Sequence, residues 1–383
     1  MLRGSAGREP PAAYPELREA MARVETEPDL SLEEQTPGDR PGGEIAGRSP
    51  QKLFWSRFIR DRFAVAGLVL IAIMLALALL APVISRNVVH HGPNEIFLFE
   101  MTTSSGIPKG PNKEFWFGAD NAGRDMFVRV LYGARTSLFI AFVATGVEML
   151  IGVTLGVMAG FYRGKVDTVI SRVSDIFLSL PILLLSLGLV SACGLQANGC
   201  LGGLVKPGLL LVSYVIALFS WPYLARIVRG QVISLREKEF VESARSLGAS
   251  NLRIMGRDIL PNIIAPIIVY TTLIIPANIL FEASLSYLGV GVPPETPSWG
   301  RQLSDATQWF EVAWWMMVFP GVFLLITTLA FNLVGDGLRD ALDPRAAAMS
   351  YRRVHRRKRE RAARRAAHGP AIPEGSVAVE GSA

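Results

Sequence analysis

The stretch Phe63–Ile84, FAVAGLVLIAIMLALALLAPVI, decides the fold class of this chain. Its 22 residues include no charged side chain. At a helical rise of 1.5 Å per residue, about 20 apolar residues cross a hydrocarbon core ~30 Å thick. The stretch therefore predicts a first transmembrane helix over residues 63–84.

A basic and aromatic segment, residues 51–62, comes directly before this span. Its cations and rings alternate at helical spacing: Lys52, Phe54, Arg57, Phe58, Arg60 and Arg62. Such a pattern suits an amphipathic helix at the membrane surface, with rings towards lipid and cations towards anionic headgroups. Because basic flanks stay on the cytoplasmic side, this end of the span is predicted to be cytoplasmic.

Five further apolar stretches follow, at about residues 137–161, 176–192, 207–225, 263–281 and 314–333. The whole chain is 50% hydrophobic and only 19% charged, which argues against a disordered or purely soluble protein. We therefore predict an all-α integral membrane protein with six transmembrane helices. The basic loop after the fourth span and the basic tail after the sixth predict that both termini are cytoplasmic.

The predicted organisation has tails on either side of a membrane core. Residues 1–50 are polar and lack an apolar run, so they are interpreted as a disordered cytoplasmic tail and not as a signal peptide. The remaining predicted regions are an extracytoplasmic loop at 85–132, a core of five further spans at 133–344, and a basic, then disordered cytoplasmic tail at 345–383. The external loop carries Arg124, Arg129 and Arg135, which we interpret as structural or interfacial because acids or the next span lie nearby.

Prolines and glycines predict bent, closely packed helices. Pro181, Pro222, Pro266 and Pro276 fall in the third to fifth spans, where proline kinks a helix. Gly152, Gly156 and Gly160 recur every four residues in the second span, a spacing that lets two membrane helices approach closely.

Catalytic and metal-binding signatures are absent from the sequence. It contains no phosphate-binding G-x-x-x-x-G-K-[ST] loop, no H-E-x-x-H and no C-x-x-C. His90 and His91 could hold a metal in the external loop, but a solvated pair is the preferred interpretation. No nucleophile and base converge in the spans, as an intramembrane hydrolase would require. We predict no enzyme activity, no metal and no cofactor in this chain.

Three residues in or near the spans leave alternatives open. Glu148 lies midway along the second span, where an acid is costly. It is either a pathway-lining residue or, as we prefer, a packed acid hydrogen-bonded to a neighbour. No second buried charge is expected to form a proton relay with it, which weakens the alternative of a proton-coupled secondary carrier. Cys193 and Cys200 form either a disulfide or two free thiols.

The most informative segment is the cytoplasmic loop between the fourth and fifth spans, Arg236–Asn262, REKEFVESARSLGASNLRIMGRDILPN. Its first part predicts a short amphipathic helix with Phe240, Val241, Ala244 and Leu247 on one face. Gly248 can end that helix, and Pro261 can start the next. An apolar face of this kind fits a groove on a partner, or rests on lipid or on its own bundle.

Four ordered motifs resemble those of ABC importer permeases. Glu242-Ser243-Ala244, with Gly248 and Leu260-Pro261 downstream, resembles the E-A-A-x-x-x-G…L-P loop of that family. FGADNAGRDMFVRVLYGARTSL (117–138), EASLSYLGVGVPPETPSWG (282–300) and NLVGDGLRDALDP (332–344) resemble signatures of the C-type subunit of its dipeptide, oligopeptide and nickel branch. The resemblance covers about residues 51–345. Ser243, Asp258 and Ala119 depart from the usual residues.

The resemblance implies one subunit of a binding-protein-dependent type I importer in the bacterial cytoplasmic membrane. Its partners would be a second permease subunit, one or two ATPase subunits that hold ATP and Mg²⁺, an external substrate-binding protein, and membrane lipid, but no nucleic acid. The expected cargo is a di- or oligopeptide; nickel or another small solute is the alternative. The expected ATPase-coupling residues are Phe240, Val241, Glu242, Ala244, Leu247, Gly248, Ala249 and Pro261.

Overall fold

The computed structural model describes residues 50–194 and 206–342. Apart from Pro50, the predicted tails at 1–50 and 345–383 lie outside these ranges. Every regular element in the described ranges is a helix, accompanied by two isolated β-bridges. The expectation of an all-α protein is confirmed for this part of the chain.

The described ranges contain twelve α-helices. In chain order they are α1 (Pro50–Phe58), α2 (Arg62–Ile84), α3 (Leu98–Met101), α4 (Met126–Tyr162), α5 (Gly164–Ser179), α6 (Ile182–Gly194), α7 (Leu209–Arg236), α8 (Glu239–Ser246), α9 (Asn251–Arg253), α10 (Leu260–Tyr287), α11 (Trp299–Ala306) and α12 (Trp315–Leu342). Two π-helical turns extend this series, Ser85–Val89 after α2 and Ile254–Ile259 before α10.

Acidic caps begin the first two long helices. Asp61 accepts hydrogen bonds from the backbone N–H groups of Phe63 (2.9 Å) and Ala64 (3.3 Å) at the start of α2. Asp125 caps α4 in the same way, through Phe127 and Val128. Each carboxylate satisfies N–H groups that have no partner within the helix, and its charge complements the helix dipole.

In the part of the chain that the structure describes, five helices are long and apolar enough to cross a membrane: α2 with its π-turn, α4, α7, α10 with the segment before it, and α12. The predicted third span at 176–192 differs, because α5 and α6 meet there at a bend of 87°. Leu180 is extended at the break (ψ 143°), since the ring of Pro181 disfavours the helical conformation of the residue before it. Residues 50–194 and 206–342 thus contain five continuous candidate spans, or six if the bent pair counts as one.

The predicted glycine stripe lies at the contact between α4 and α7. A Cβ atom added to Gly156 would lie 2.6 Å from the carbonyl oxygen of Ala225 and 2.8 Å from Cβ of Val228. Added Cβ atoms at Gly152 and Gly160 would also meet α7, at 3.0 and 2.7 Å. The prediction of close helix approach through these glycines is confirmed.

Replacing Gly156 by alanine should destabilise the bundle, because one added methyl group forces α4 and α7 apart. Overpacking of this kind costs about 1–3 kcal/mol. Gly146→Ala is the matched control on the same helix, since a Cβ atom there meets nothing within 4 Å. Thermal unfolding of the detergent-solubilised protein should show a lower midpoint for Gly156→Ala alone. Equal midpoints for the two variants would contradict the packing described.

Candidate coupling site and buried polar residues

The predicted cytoplasmic loop forms a compact helical elbow, residues 237–259, between α7 and α10. α8 begins after Lys238, and its C-terminal end turns at Gly248, whose φ of +77° is a left-handed conformation that glycine adopts without strain. The N–H of Ala249 donates to the carbonyl of Ala244 (3.1 Å) across this turn. Ser250 then caps α9 by accepting from the N–H of Arg253.

The inner face of the elbow packs against the membrane helices. Val241 is fully buried in an apolar cluster with Val228 and Val232 of α7 and Ile254 of the following π-turn. Ala244 and Ala249 are partly buried against the same cluster. The inclusion of Val241 among the partner contacts is therefore corrected: its side chain anchors the elbow to the bundle and is not available at the surface.

The outer face of the elbow exposes large apolar side chains. Leu247 is 88% exposed, Leu252 is 77% exposed and Phe240 is 41% exposed. Glu242 is also exposed, and nothing lies within 4 Å of a Cβ atom added to Gly248. Leu252 was not among the expected coupling residues. It lies four residues after Gly248 in a helical turn, and this position could have indicated that it belongs to the exposed face.

The elbow is continuous with α10. The π-turn Ile254–Ile259 leads directly into that helix, and Pro261 lies in the first turn of α10, as predicted. On the other side, Arg163 at the α4–α5 turn forms an ion pair with Glu237 (2.5 Å), next to the end of α7. The guanidinium of Arg236 lies 5.8 Å from the ring centroid of Phe161. These contacts tie the elbow to α4, α7 and α10.

Glu148 is buried between α4 and α10. Its carboxylate accepts a hydrogen bond from the side-chain amide of Asn278 (3.1 Å), which also donates to the hydroxyl of Thr145 (2.9 Å). The arrangement matches the preferred interpretation of a packed acid that is hydrogen-bonded to a neighbour. A role in a solute pathway stays a prediction.

A second buried acid, Glu282, was missed. It is fully buried and accepts hydrogen bonds from the hydroxyls of Ser137 (2.8 Å) on α4 and Ser286 (2.7 Å) on its own helix. Its hydrogen-bond partners are serines and not Glu148, so the expectation that no second buried charge forms a proton relay with Glu148 stays a prediction. The predicted fifth span stopped at Phe281, whereas α10 continues to Tyr287 and carries Glu282 into the helix contact.

The predicted external loop is held by buried ion pairs. Asp120 pairs with Arg124 (2.7 Å) and with Arg129 (3.2 Å), and Arg129 also donates to the backbone carbonyl of Pro93. The structural interpretation of these two arginines is confirmed, whereas Arg135 is exposed. Burial raises the pKa of Asp305 in α11, although the guanidinium groups of Arg301 and Arg129 lie near it.

The two adjacent histidines have different environments. His90 is exposed, but His91 is buried between the rings of Phe97 and Phe115 and hydrogen-bonds through Nδ1 to Asp125 (2.7 Å). The interpretation of a solvated pair is therefore wrong for His91. Among the described residues, no group of three or more His, Cys, Asp or Glu side chains could hold a metal ion.

A disulfide between Cys193 and Cys200 was one of two alternatives for the cysteines. Cys193 is buried near the end of α6, whereas Cys200 lies outside the described residues. The bridge between them stays a prediction.

Two family descriptions match the sequence. Residues 152–348 match the binding-protein-dependent transport system inner membrane component. Residues 49–101 match the N-terminal transmembrane domain of oligopeptide transport permease C. The first match begins within α4 and the second ends with α3, so together they include α1 to α3, the last part of α4, and α5 to α12.

Several named transport permeases are similar to most of the chain. The dipeptide transport system permease protein DppC of Alkalihalophilus pseudofirmus is 38% identical over 305 residues, 80% of this chain and 93% of its own length. The oligopeptide transport system permease protein OppC of Bacillus subtilis is 38% identical over 289 residues, 76% of this chain and 88% of its own length. A solved inward-facing structure of the MetNI methionine ABC transporter aligns with a TM-score of 0.47 at 18% identity, covering 57% of this chain and 98% of that one.

Glu282→Ala should lower stability, because the hydroxyls of Ser137 and Ser286 lose a buried acceptor. Each buried polar group left without a partner costs about 1–3 kcal/mol. Glu282→Gln keeps one carbonyl acceptor and should lose less. Thermal unfolding in detergent measures both, with the exposed acid Glu114 replaced by alanine as control. A midpoint for Glu282→Ala equal to that of Glu114→Ala would show that the hydrogen bonds do not stabilise the bundle.

Proposed function

Because this chain belongs to the family of binding-protein-dependent transport system inner membrane components, we propose that it imports peptides as the C-type permease subunit of a type I ABC importer. It is a multi-pass inner-membrane protein of the dipeptide and oligopeptide branch. The relatives named for dipeptide and oligopeptide transport support a peptide cargo over nickel. The same membership favours an ATP-driven importer over a proton-coupled carrier, despite the second buried acid.

The proposed topology has six crossings, with α5 and α6 as one bent crossing and both termini in the cytoplasm. The basic residues beside α1 and in the elbow support this orientation. The half-exposed Trp116 and Trp314 would then lie at the outer interface, where tryptophan is enriched. The external loop and α11 form the outer end of the bundle in this arrangement.

The proposed assembly pairs this chain with a second permease subunit. Two ATPase domains bind below, and an external binding protein delivers the solute. ATP and Mg²⁺ belong to the ATPase subunits, so this chain supplies half of the pathway and no catalytic group. These partners follow from the family, whose members are named as components of binding-protein-dependent systems.

The elbow carries the coupling in this proposal. Its inner face is fixed to α7 and α10 through Val241 and Ile254, while its outer face presents Phe240, Leu247 and Leu252. A partner that grips the outer face can therefore move the helices, because the buried side prevents the elbow from sliding separately. This two-sided arrangement is the single observation that carries the proposal.

The approach of the two ATPase subunits on binding ATP would displace the elbow. The displacement would pass along the continuous π-turn into α10 and across the Arg163–Glu237 pair to the α4–α5 turn. Kinks are available in the moving helices, since α7 contains Pro222 and α10 contains Pro266 and Pro276. Alternating access would then arise from rocking of this bundle against that of the second permease.

Replacing Leu247 by aspartate should uncouple ATP hydrolysis from uptake. The substitution puts a charge into the apolar contact with the ATPase but disturbs no packing inside the chain, because Leu247 is exposed. In proteoliposomes with all partner subunits, uptake of labelled dialanine should fall about tenfold or more, while the permease remains in the membrane. Gly248→Glu should act in the same direction at the neighbouring position.

Phe99→Asp is the matched control, because Phe99 is 99% exposed and lies in the external loop. It makes the same kind of apolar-to-acid change far from the ATPase. We expect it to leave the ATPase bound on affinity purification, whereas Leu247→Asp weakens that association. Normal uptake and normal ATPase retention by Leu247→Asp would refute the coupling assignment.

A further inference from the structure

A cavity of about 460 Å³ lies between α4, α5 and α7. Small-ligand pockets occupy about 300–1,000 Å³, so the cavity can hold a small solute. Its apolar lining is formed by the small side chains of Ala159 and Ala225 together with Ile170, and its polar lining includes Ser171 and Ser174. The charged groups at its wall are Asp175, Arg226 and Arg229.

Two ion pairs join α5 to α7 at this cavity. Arg229 binds Asp167 through two contacts, Nε to Oδ1 at 2.5 Å and Nη2 to Oδ2 at 2.7 Å. Arg226 binds Asp175 through one contact, Nη2 to Oδ1 at 2.8 Å, and the two side chains are 58% and 53% exposed. The second pair is thus the looser of the two, and an exposed pair of this kind contributes little to stability.

We propose that this cavity is an exit site for the peptide, in which Asp175 binds its terminal ammonium group and Arg226 binds its terminal carboxylate. The site rests on the proposed function, which supplies the peptide. A short unmodified peptide carries one charge of each sign at its ends, and the cavity wall carries one weakly paired acid and one weakly paired arginine. Binding exchanges one ion pair within the protein for two with the ligand.

The rest of the lining fits a site that accepts many sequences. Ala159 and Ala225 leave room for side chains of different sizes. The hydroxyls of Ser171 and Ser174 donate to Asp167 and to the carbonyl of Ile170, and their oxygens can still accept from peptide N–H groups. No large aromatic side chain forms part of this lining in the described residues. The site therefore recognises what all short peptides share, their charged ends, and not their side chains.

The location suits a release step. Arg229 lies seven residues before the end of α7 at Arg236, which is about 10 Å along the helix. The elbow begins directly after that end. A ligand that separates α5 from α7 would therefore act on the helix that leads into the coupling surface. The half-exposed ion pair favours weak binding, as release into the cytoplasm requires.

The experiment uses the whole complex of permeases and ATPases in nanodiscs, without the external binding protein. Saturation-transfer NMR measures half-saturation by dialanine, N-acetyl-dialanine and dialanine amide. For the unmodified complex we expect free dialanine to bind about tenfold more tightly than either blocked form, the effect of one lost charge-assisted contact. Equal binding of all three peptides, or no binding, would overturn the site without any variant.

Variants then assign the two ends. Asp175→Asn should abolish the preference for free dialanine over N-acetyl-dialanine but keep the preference over dialanine amide. Arg226→Gln should have the opposite effect: it should abolish only the preference for free dialanine over the amide. Arg163→Gln is the matched control, because it breaks the Arg163–Glu237 pair beside α5 but does not line the cavity. This control should keep both preferences. If the ion pairs have only a structural role, all three variants should behave alike, and that result would refute the site.

Uptake of dialanine by the complete unmodified transporter, with its binding protein, is measured in parallel. Failure of that uptake would refute the proposed function itself. Normal uptake together with equal binding of free and blocked peptides would refute only the exit site.

Discussion

Two helices in hydrocarbon gain little from apolar burial alone, because lipid tails are as apolar as leucine. Their association depends on close van der Waals contact and on polar groups between them. In this protein the close contact is that of α4 with α7, where Gly152, Gly156 and Gly160 face the backbone and side chains of α7. The cluster that buries Val241 lies towards one end of this contact, and the cavity beside α5 borders the same two helices. Both functional proposals therefore depend on the glycine stripe.

Polar contacts provide the second constraint, at the junction of α4 with α10. Asn278 joins Thr145 to Glu148, and Glu282 joins Ser137 to Ser286. These residues recur at helical spacing along one face of each helix, so their hydrogen bonds all form along the contact between α4 and α10. Buried acids of this kind are often interpreted as proton carriers in transporters. Here each carboxylate has donors from neighbouring helices, which gives both a packing role that an ATP-driven importer can use.

Much of the fold could be predicted from the sequence, because long apolar runs and the glycine spacing are local signals. The presence of Pro261 in the first turn of α10 and the turn at Gly248 also follow from local chemistry. Pro181 also predicted a kink in the third span from local chemistry, although not a bend as large as 87°. Two features depended on tertiary contacts. The face of α8 that turns inward could not be deduced from its amphipathic pattern, so Val241 was assigned to a partner. The burial of His91 depends on Asp125, 34 residues away.

The length of α4 has a further consequence. Its 37 residues form a rod of roughly 55 Å, nearly twice the thickness of the hydrocarbon core. Thr145 and Glu148 lie close to the middle of the rod, where they are hydrogen-bonded to α10. If α4 rotates as a rigid body about this point, a tilt of about 10° moves its two ends by roughly 5 Å in opposite directions. The pivot bonds would persist during this motion, and opening at one surface would be geometrically tied to closing at the other.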